Sequence, residues 1–397
     1  MFEHVEPLPP DPILGLSEAY ASDPNPRKIN LGVGVYKDAN GRTPILECVR
    51  WAAARVLQQT EPGEYLPIEG LDSYRTCVRE LIFGPDHPLL AAGRVATAQA
   101  PGGTGALRVA AEFIARTQPE ATVHLSEPTW PNHHNLFAAA GVPVASYPYF
   151  DAERGTLDFQ RLYDALADVP AGDVVVFHAC CHNPTGADPS AGQWQQLAQL
   201  AAERGFLPLF DFAYQGFGEG IDADAVGIRA FAQTVGEMLV ANSFSKNFSL
   251  YRQRIGALTL VAADADVARA AMTHVKAAIR GNYSNPPAFG AELVATVLTD
   301  AGLRRLWEKE VGQMRQRIQS MRQLFVQTLK AKGVTRDFSF IAQQRGMFSF
   351  SGLSRQHVQA LREKHSIYIV DSGRISVAGM TAANIDDLCS AVADVIG

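Results

Sequence analysis

Lys246 is the residue of this sequence with the clearest capacity for covalent chemistry. It lies in the polar segment 243–256, between two apolar runs, 238–242 and 256–262, that are typical of strands. A lysine at a strand end can lose solvation, lower the pKa of its amine and attack an aldehyde or a ketone. A solvated surface lysine is the alternative interpretation of this position.

Asp211 places a carboxylate at the end of another strand-like run, 207–212. A carboxylate near a buried site needs a cationic partner or several hydrogen-bond donors. The neighbouring sequence supplies neither, which points to a cation on a bound ligand. The competing interpretation is that Asp211 caps the following helix.

Gly103 and Thr104 belong to a Pro-Gly-Gly-Thr-Gly segment, 101–105, that connects a predicted strand, 94–98, to a predicted helix, 105–116. The free N–H groups of a helix N-terminus and the Thr104 hydroxyl could hold a phosphate. The glycine spacing does not match the nucleotide-binding fingerprints. A plain tight turn remains the alternative.

Asn183 lies in the segment His-Ala-Cys-Cys-His-Asn-Pro-Thr-Gly, 178–186, directly after the strand-like run 174–177. Open α/β sheets bind ligands outside the carboxyl ends of their parallel strands. Asn-Pro-Thr-Gly is also ordinary turn chemistry. A cysteine nucleophile in this segment is disfavoured because His182 has no evident third group to orient it.

Alternating strands and helices must position these residues. Besides the runs above, the apolar pattern predicts a strand at 121–126 and a helix over 193–204. This alternation indicates an α/β fold whose central sheet is mostly parallel and flanked by helices.

The character of the sequence changes near residue 300. Apolar residues then recur every three or four positions, which predicts one long amphipathic helix over 301–332 that stops at Gly333. Further strands are predicted at 347–350, 367–370 and 375–377, with helices over 354–364 and from Asn384. We therefore expect a large domain of residues 46–300 and a smaller α/β domain formed by residues 1–45 and 301–397.

The charge balance limits the classes of partner. The 397 residues include 35 Lys+Arg and 41 Asp+Glu, a formal net charge of −6, which argues against nucleic acid and anionic membranes as partners. The N-terminus lacks a signal-peptide pattern, and no apolar run approaches a membrane span. The five cysteines form no C-x-x-C pair, so we expect reduced thiols, no metal and a cytoplasmic location.

Taken together, the four segments predict a single ligand. It carries a phosphate for Gly103 and Thr104, an aldehyde for an amine and a ring cation for a carboxylate. Pyridoxal phosphate has all three groups, with Lys246 as its Schiff-base lysine and Asp211 beside its pyridinium nitrogen.

The same residues carry a resemblance to a known family. Segment 243–256 matches the lysine-attachment signature of the class I aminotransferases at every defined position, and the Asn-Pro-Thr-Gly segment 183–186 agrees with it. Asp211 followed by Tyr214, and the spacing of 246 − 211 = 35 residues to the lysine, agree as well. From Asp11 to Met380 the sequence resembles in particular the bacterial aspartate and aromatic amino-acid aminotransferases.

This resemblance implies a fold-type-I homodimer whose active sites lie at the subunit interface. Trp130 would stack on the cofactor ring, Asn183 and Tyr214 would bond its phenolic oxygen, and two histidines, His133 and His178, would support Asp211. The residues implied to hold the cofactor phosphate are Gly103, Thr104, Ser243, Ser245, Arg254 and, from the other subunit, Tyr65.

The resemblance also implies how substrates bind. Arg374 would grip the α-carboxylate of the substrate, and Arg280 would reach across the dimer to a side-chain carboxylate. Gly34 would let the backbone approach the substrate closely, and Trp130 and Asn183 would also bind the substrate. The implied reaction is a ping-pong transamination between an L-amino acid and 2-oxoglutarate.

The choice of amino acid stays open at this point. The residues that resemble the aspartate type are Val35, Lys37, Thr43, Thr104 and Asn285, whereas Tyr65 and Asn242 lie in segments closer to the aromatic type. We expect aspartate to be favoured, with aromatic amino acids as side or main substrates. The remote alternatives are a pyridoxal-phosphate decarboxylase or lyase and a non-catalytic regulator.

Overall fold

The computed structural model describes residues 2–7, 14–59 and 63–397. Asp11, where the region of family resemblance begins, lies outside the described residues.

Helices and strands alternate along most of the chain. The helices are α1 (Leu14–Ser22), α2 (Glu47–Gln59), α3 (Asp72–Phe83), α4 (Pro88–Ala91), α5 (Gly102–Thr117), α6 (Asn132–Ala139), α7 (Phe159–Ala167), α8 (Ala191–Arg204), α9 (Val226–Thr234), α10 (Ala265–Asn282), α11 (Phe289–Thr299), α12 (Ala301–Ala331), α13 (Phe340–Gln343), α14 (Arg355–His365) and α15 (Ile385–Ile396). The strands are β1 (Ile29–Asn30), β2 (Val95–Pro101), β3 (Val123–Glu127), β4 (Val144–Pro148), β5 (Phe150–Asp151), β6 (Thr156–Leu157), β7 (Val174–His178), β8 (Leu207–Phe212), β9 (Met238–Ser243), β10 (Ile255–Val261), β11 (Phe348–Phe350), β12 (Ile367–Tyr368) and β13 (Arg374–Ser376).

A seven-stranded sheet forms the centre of the molecule, in the order β2-β10-β9-β8-β7-β3-β4. Strand β10 runs antiparallel to both of its neighbours, and the other pairs that share a register are parallel. The carboxyl ends of β2, β3, β7, β8 and β9 therefore meet at one edge of the sheet. The predicted mostly parallel α/β fold is confirmed.

The strands of this sheet are buried on both faces, which explains their nearly continuous apolar sequences. In β7, Val174 and Val176 pack on the face covered by α5, α6 and α10, whereas Val175 and Phe177 face the side of α8 and α9. Alternate side chains point to opposite faces of a strand, so a run of four apolar residues serves both layers.

The C-terminal region packs beside this sheet and is joined to the N-terminal segment. Strand β1 pairs in parallel with β12, and β11 pairs antiparallel with β13. The long helix α12 packs against α2, α11, α13 and α15. Its first part bonds to α2 through Glu310, and later positions bond to α13 through Gln319.

The predicted segments lie close to the observed ones. The strand predicted at 94–98 extends to Pro101, and the strand predicted at 367–370 ends at Tyr368. The helix predicted over 105–116 begins three residues earlier, at Gly102, and the long helix ends at Ala331. Within the described ranges of the chain, no helix is both long and apolar enough to cross a bilayer.

Helix α2 begins under a cap supplied by a distant part of the sequence. The carboxylate of Glu310, on α12, accepts the backbone N–H groups of Glu47 at 2.7 Å and Cys48 at 3.1 Å. These are two of the N–H groups that a helix N-terminus leaves without an intrahelical acceptor, and a negative charge there is also favoured by the helix dipole.

We expect Glu310→Ala to lower the free energy of unfolding by about 1–2 kcal/mol, because two N–H groups lose their charged acceptor. Glu310→Gln keeps one acceptor oxygen, so its free energy of unfolding should lie between those of Glu310→Ala and wild type. Denaturant titration measures the effect. The control is Glu308→Ala on the same helix, which removes only an exposed pair with Arg304 and should change stability by less than about 0.5 kcal/mol. Equal losses in both alanine variants would contradict the capping role of Glu310.

Candidate active site

A cavity of about 610 Å³ lies at the edge of the sheet where the parallel strands end. Residues from β11 and β13 close it from the side of the C-terminal region. The residues singled out in the sequence that line this cavity are Gly34, Gly103, Thr104, Trp130, His178, Asn183, Asp211, Tyr214, Ser243, Ser245, Lys246, Arg254 and Arg374.

Three of the residues implied by the family resemblance do not line the cavity. His133 is fully buried directly behind Asp211, as a supporting role requires. Tyr65 is 91% exposed and Arg280 is also exposed, on α10. The guanidinium of Arg280 donates a hydrogen bond to the Ser284 hydroxyl. In a single chain, therefore, neither Tyr65 nor Arg280 reaches the cavity.

Lys246 lies in the loop that connects β9 to β10, and its side chain faces the cavity. Burial lowers the pKa of its amine to about 8; the charge of Asp211 opposes this shift, and that of Arg254 adds to it. The ammonium position lies 4.7 Å from the centroid of the Tyr214 ring. An amine with such a pKa is neutral in a substantial fraction of molecules near pH 8, so it can act as a nucleophile or a base.

Asp211, at the end of β8, keeps its negative charge inside the protein. Burial raises the pKa of its carboxyl group, but the hydrogen bond from His133, 3.1 Å long, and the nearby charge of Lys246 hold the pKa below its ordinary value. Helix capping, the alternative interpretation, is wrong in this structure, because the next helical segment begins only at Ala223.

A directed chain of hydrogen bonds stands behind Asp211. The backbone N–H of Asn183 donates to His178 Nδ1 at 3.4 Å, so the ring proton of a neutral His178 lies on Nε2. That proton is donated to the Thr129 hydroxyl at 3.1 Å, and the hydroxyl donates its own proton to His133 Nδ1 at 2.9 Å. His133 Nε2 is then the donor to Asp211. Burial also lowers the pKa of His178 well below its usual range, which agrees with a neutral ring.

Thr129 was missed by the sequence analysis. It is buried, lies just before Trp130 and links the two histidines. A threonine in a turn carries no signal that distinguishes such a link from ordinary turn chemistry.

One end of the cavity is suited to an anion. Helix α5 begins there at Gly102, and no described side chain caps its N-terminal N–H groups. The guanidinium of Arg254 lies over this turn and donates to Ser245 Oγ at 3.1 Å. The φ of Gly102 is +76°, which favours glycine, and a Cβ there would also come within 2.6 Å of Arg254 Nη2. In the described part of the chain, Arg254 has no carboxylate partner.

The other end holds a second cation, Arg374, which is buried at 3% exposure. It donates to the side-chain carbonyl of Asn183 at 3.3 Å and to the backbone carbonyl of Gly32 at 2.5 Å. Its guanidinium lies 4.2 Å from the centroid of the Phe348 ring. Burial lowers its pKa to about 10, so it remains charged at neutral pH. No described carboxylate neutralises it, and its Nε has no hydrogen-bond partner.

Phe348 was identified in the sequence only as part of a strand. Its ring supports Arg374 and packs edge-on against Tyr214, with the ring centroids 6.2 Å apart. Burial raises the pKa of the Tyr214 hydroxyl, which keeps it protonated and able to donate.

The thiols beside the site are not poised for nucleophilic chemistry. Burial raises the pKa of Cys181 to about 11, and that of its neighbour Cys180 rises as well. His182 bonds instead to Ser126 at 2.9 Å and to Thr185 at 2.8 Å. The thiolate required of a cysteine nucleophile is therefore disfavoured.

Comparison with known proteins gives consistent matches over the whole chain. A family model described as aminotransferase class I and II matches residues 26–392. The chain is 54% identical over 396 residues to an aspartate aminotransferase of Escherichia coli K12. It is 45% identical over 397 residues to an aromatic-amino-acid aminotransferase of the same organism. Each match covers 100% of both chains. It is also similar to the crystal structure of an aromatic-amino-acid aminotransferase from Burkholderia pseudomallei covalently bound to pyridoxal phosphate, with a TM-score of 0.97, 48% identity and complete coverage of both chains.

The lowered pKa of Lys246 predicts selective chemical reactivity in the protein without ligand. Reductive methylation of Lys246, followed by peptide mass analysis, should show a midpoint near pH 8, about two units below an ordinary lysine. An exposed lysine of the same protein reports the pH dependence of the reagent itself. Arg254→Gln should move the midpoint upward, because it removes a like charge. A midpoint above pH 10 in the wild-type protein would contradict the assigned environment.

Proposed function

The chain belongs to the class I and II aminotransferase family and is an aminotransferase, and we propose that it transfers the amino group of L-aspartate, and of aromatic L-amino acids, to 2-oxoglutarate with pyridoxal phosphate as its cofactor. One observation carries this proposal. The cavity holds Lys246, whose pKa is lowered, and the buried, charged Asp211. Arg254 at one end and Arg374 at the other have no carboxylate partner in the described chain.

The residues present fit pyridoxal phosphate. The N-terminus of α5, which no described side chain caps, and Arg254, which has no carboxylate partner among the described residues, suit a phosphate. The charged Asp211 suits a pyridinium. The residues proposed to hold the phosphate from this chain are Gly103, Thr104, Ser243, Ser245 and Arg254, and those proposed to hold the ring are Trp130, Asn183, Asp211 and Tyr214. When bound, the cofactor supplies an aldehyde for the amine and a ring that accepts the electron pair released at the substrate Cα.

Lys246 is proposed to carry the cofactor in the resting enzyme and to move the proton during the reaction. A pKa near 8 lets the amine take a proton from the substrate Cα and return it to the product. The aromatic face of Tyr214, 4.7 Å away, limits the directions from which Lys246 can act.

Asp211 is proposed to hold a proton on the ring nitrogen of the cofactor. It can do so only while it is ionised, and the hydrogen-bond chain through His133, Thr129 and His178 supplies the donor that keeps it so. His133 and His178 thus act on the ring through Asp211.

Arg374 is proposed to bind the α-carboxylate of every substrate. Its charge is already desolvated and its guanidinium is oriented by Asn183, Gly32 and Phe348 before any substrate arrives. A carboxylate that pairs with it replaces a missing partner, and Gly34 leaves room beside it because a Cβ there would come within 2.8 Å of the Phe348 ring.

Arg280 is proposed to bind the second carboxylate of aspartate, glutamate and their keto acids from the other subunit of a homodimer. Tyr65 is proposed to reach the phosphate in the same way. Their exposure on a single chain, outside the cavity, supports this assignment, since both would be brought to a site only by a second copy.

Either aspartate or the aromatic amino acids could be the main amino-group donor. Two solved structures of aromatic-amino-acid aminotransferases, 48% and 45% identical to this chain, support the alternative of an aromatic-amino-acid transaminase as the main role. The overall fold does not discriminate between the two roles, since the structure of an aspartate aminotransferase reaches the same TM-score of 0.97. The higher identity to aspartate aminotransferases favours aspartate, with aromatic amino acids as further substrates. Rates with aspartate, tyrosine and phenylalanine against 2-oxoglutarate decide between the two.

Two further features belong to the proposal. We propose that residues 46–300 form the large domain and that residues 1–45 and 301–397 form the small one, which the pairing of β1 with β12 supports. We also propose a cytoplasmic location, without nucleic-acid or membrane partners. The net charge of −6 and five buried cysteines, none in a disulfide, support it.

We expect Lys246→Ala to retain the fold and bind pyridoxal phosphate without covalent attachment, while transamination falls by several orders of magnitude because the proton-transfer group is gone. In wild type, hydride reduction should attach the cofactor to one peptide containing Lys246. Lys276→Ala is the control: Lys276 pairs with Glu69 and is partly exposed, so this variant should keep its activity. Recovery of the cofactor on Lys276 or Lys37 would overturn the assignment.

We expect Arg280→Ala to lower kcat/KM for aspartate by about two decades or more, since losing one partner of a charge-assisted pair costs about 3–5 kcal/mol. Phenylalanine, which has no second carboxylate, should be nearly unaffected. Arg374→Ala should lower kcat/KM for both substrates. Steady-state kinetics measures all four values. Equal losses for aspartate and phenylalanine in Arg280→Ala would refute the selective role.

Mixed dimers separate this role from a same-chain contribution. Arg280→Ala and Lys246→Ala homodimers should each have strongly reduced activity toward aspartate, but their heterodimer should regain one complete site. Recovery after demonstrated subunit exchange supports an arginine supplied across the interface. Continued inactivity after exchange would refute it.

A further inference from the structure

Ser249 adopts an unusual backbone conformation close to the proposed catalytic lysine. Its φ is +55°, in the left-handed region where a side chain crowds the backbone and glycine is preferred. It lies three residues after Lys246 and closes a turn by donating its N–H to the Lys246 carbonyl at 3.0 Å. Strained non-glycine residues persist where another interaction compensates for them.

The Ser249 side chain makes such an interaction. Its hydroxyl donates to the backbone carbonyl of Pro44 at 2.6 Å, across 205 positions of sequence. A second hydrogen bond joins the same two segments: the N–H of Tyr36 donates to the Tyr251 hydroxyl at 2.9 Å. Segment 36–44 is thus fastened at both ends to the loop that carries Lys246.

The middle of the same segment is held by the C-terminal region. Lys37 donates its N–H to the carbonyl of Ala378 at 3.1 Å, and Arg317 donates to the carbonyl of Asp38 at 3.0 Å. Segment 36–44 therefore lies between the lysine loop and the C-terminal region, and Ser249 and Tyr251 determine its position on the lysine side.

Just before this segment, Gly34 lines the cavity and Gly32 contacts a residue that lines it; we call residues 32–34 the wall. The Gly32 carbonyl accepts a hydrogen bond from Arg374, and Gly34 packs against the Phe348 ring. A shift of segment 36–44 relative to the loop would therefore change the distance between Lys246 and the groups around Arg374.

We propose that Ser249 is a positioning residue: its hydrogen bond to Pro44 holds the wall that carries Gly32 and Gly34 at a fixed place relative to Lys246, so that the substrate carboxylate and Cα meet preformed partners. This role rests on the proposed aminotransferase function and adds a residue to it. Without the bond, the substrate must order the wall as it binds, and part of the binding free energy is lost.

Two variants separate the hydrogen bond from the strain. Ser249→Gly removes both the hydroxyl and the strain, whereas Ser249→Ala removes the hydroxyl and keeps the strain. We expect KM for aspartate and for phenylalanine to rise about three- to tenfold in both variants, the range expected for one hydrogen bond, with kcat within about twofold. The melting temperature of Ser249→Gly should equal or exceed that of Ser249→Ala.

The matched control is Ser366→Gly. Ser366 also has a φ of +55°, and its hydroxyl accepts a hydrogen bond from Asn25, away from the cavity. This variant relieves a similar strain and should leave KM unchanged. A rise of KM in Ser249→Ala alone would assign the effect to strain and overturn the proposal. An unchanged KM in both Ser249 variants would overturn it as well.

Hydrogen exchange provides a readout that does not depend on activity. In the holoenzyme, peptides within residues 32–46 should exchange at least threefold faster in both Ser249 variants than in wild type, while the peptides of β7 and β8 remain unchanged. Unchanged exchange in residues 32–46 would refute the positioning role. If the wild-type protein shows no transamination, the proposed function fails, whereas the exchange experiment still tests the contact between Ser249 and the segment.

Discussion

The convergence of strand ends at one edge of the sheet is the constraint on which the other features of the site depend. In parallel strands every carboxyl end faces the same way, so β7, β8 and β9 deliver His178, Asp211 and Ser243 to neighbouring positions. The antiparallel strand β10 starts from this edge, and Arg254 lies immediately before it. Residues separated by many positions in sequence thereby surround one cavity. Each lies on a helix or strand or within a few residues of one.

The electrostatics of the cavity follow from this placement. Burial on both faces of the sheet removes water from the strand ends, and each charged group there needs a partner or pays for desolvation. Asp211 has His133, whereas among the described residues the partners of Arg374 are two carbonyl oxygens and an aromatic face. The protein therefore maintains unneutralised charge where an anionic substrate and an anionic cofactor would provide the missing partners.

Much of this fold could be predicted from the sequence, because a buried parallel strand has a nearly continuous apolar run bounded by turn residues. The segments around Lys246, Asp211 and Asn183 were recognisable since functional groups directly follow such runs. Thr129, Phe348 and Ser249 were not recognised. Each looks like an ordinary turn or core residue, and its role depends on a partner that is distant in sequence, such as Arg374 for Phe348 or Pro44 for Ser249. Tyr65 and Arg280 pose a different problem, since both are exposed and lie outside the cavity of a single chain, so neither apolar pattern nor strand position marks them.

The hydrogen-bond chain behind Asp211 has a single direction. It begins at the backbone N–H of Asn183, which cannot give up its proton. Each later group donates a hydrogen bond toward the carboxylate through a proton that stays on that group. A net proton could travel along this chain only if the amide itself ionised, so the chain does not serve as a proton wire. What it transmits is polarisation: its aligned dipoles all present their positive ends to Asp211. A disturbance at Asn183, which also contacts Arg374, would therefore alter the field at the carboxylate without moving any proton between residues.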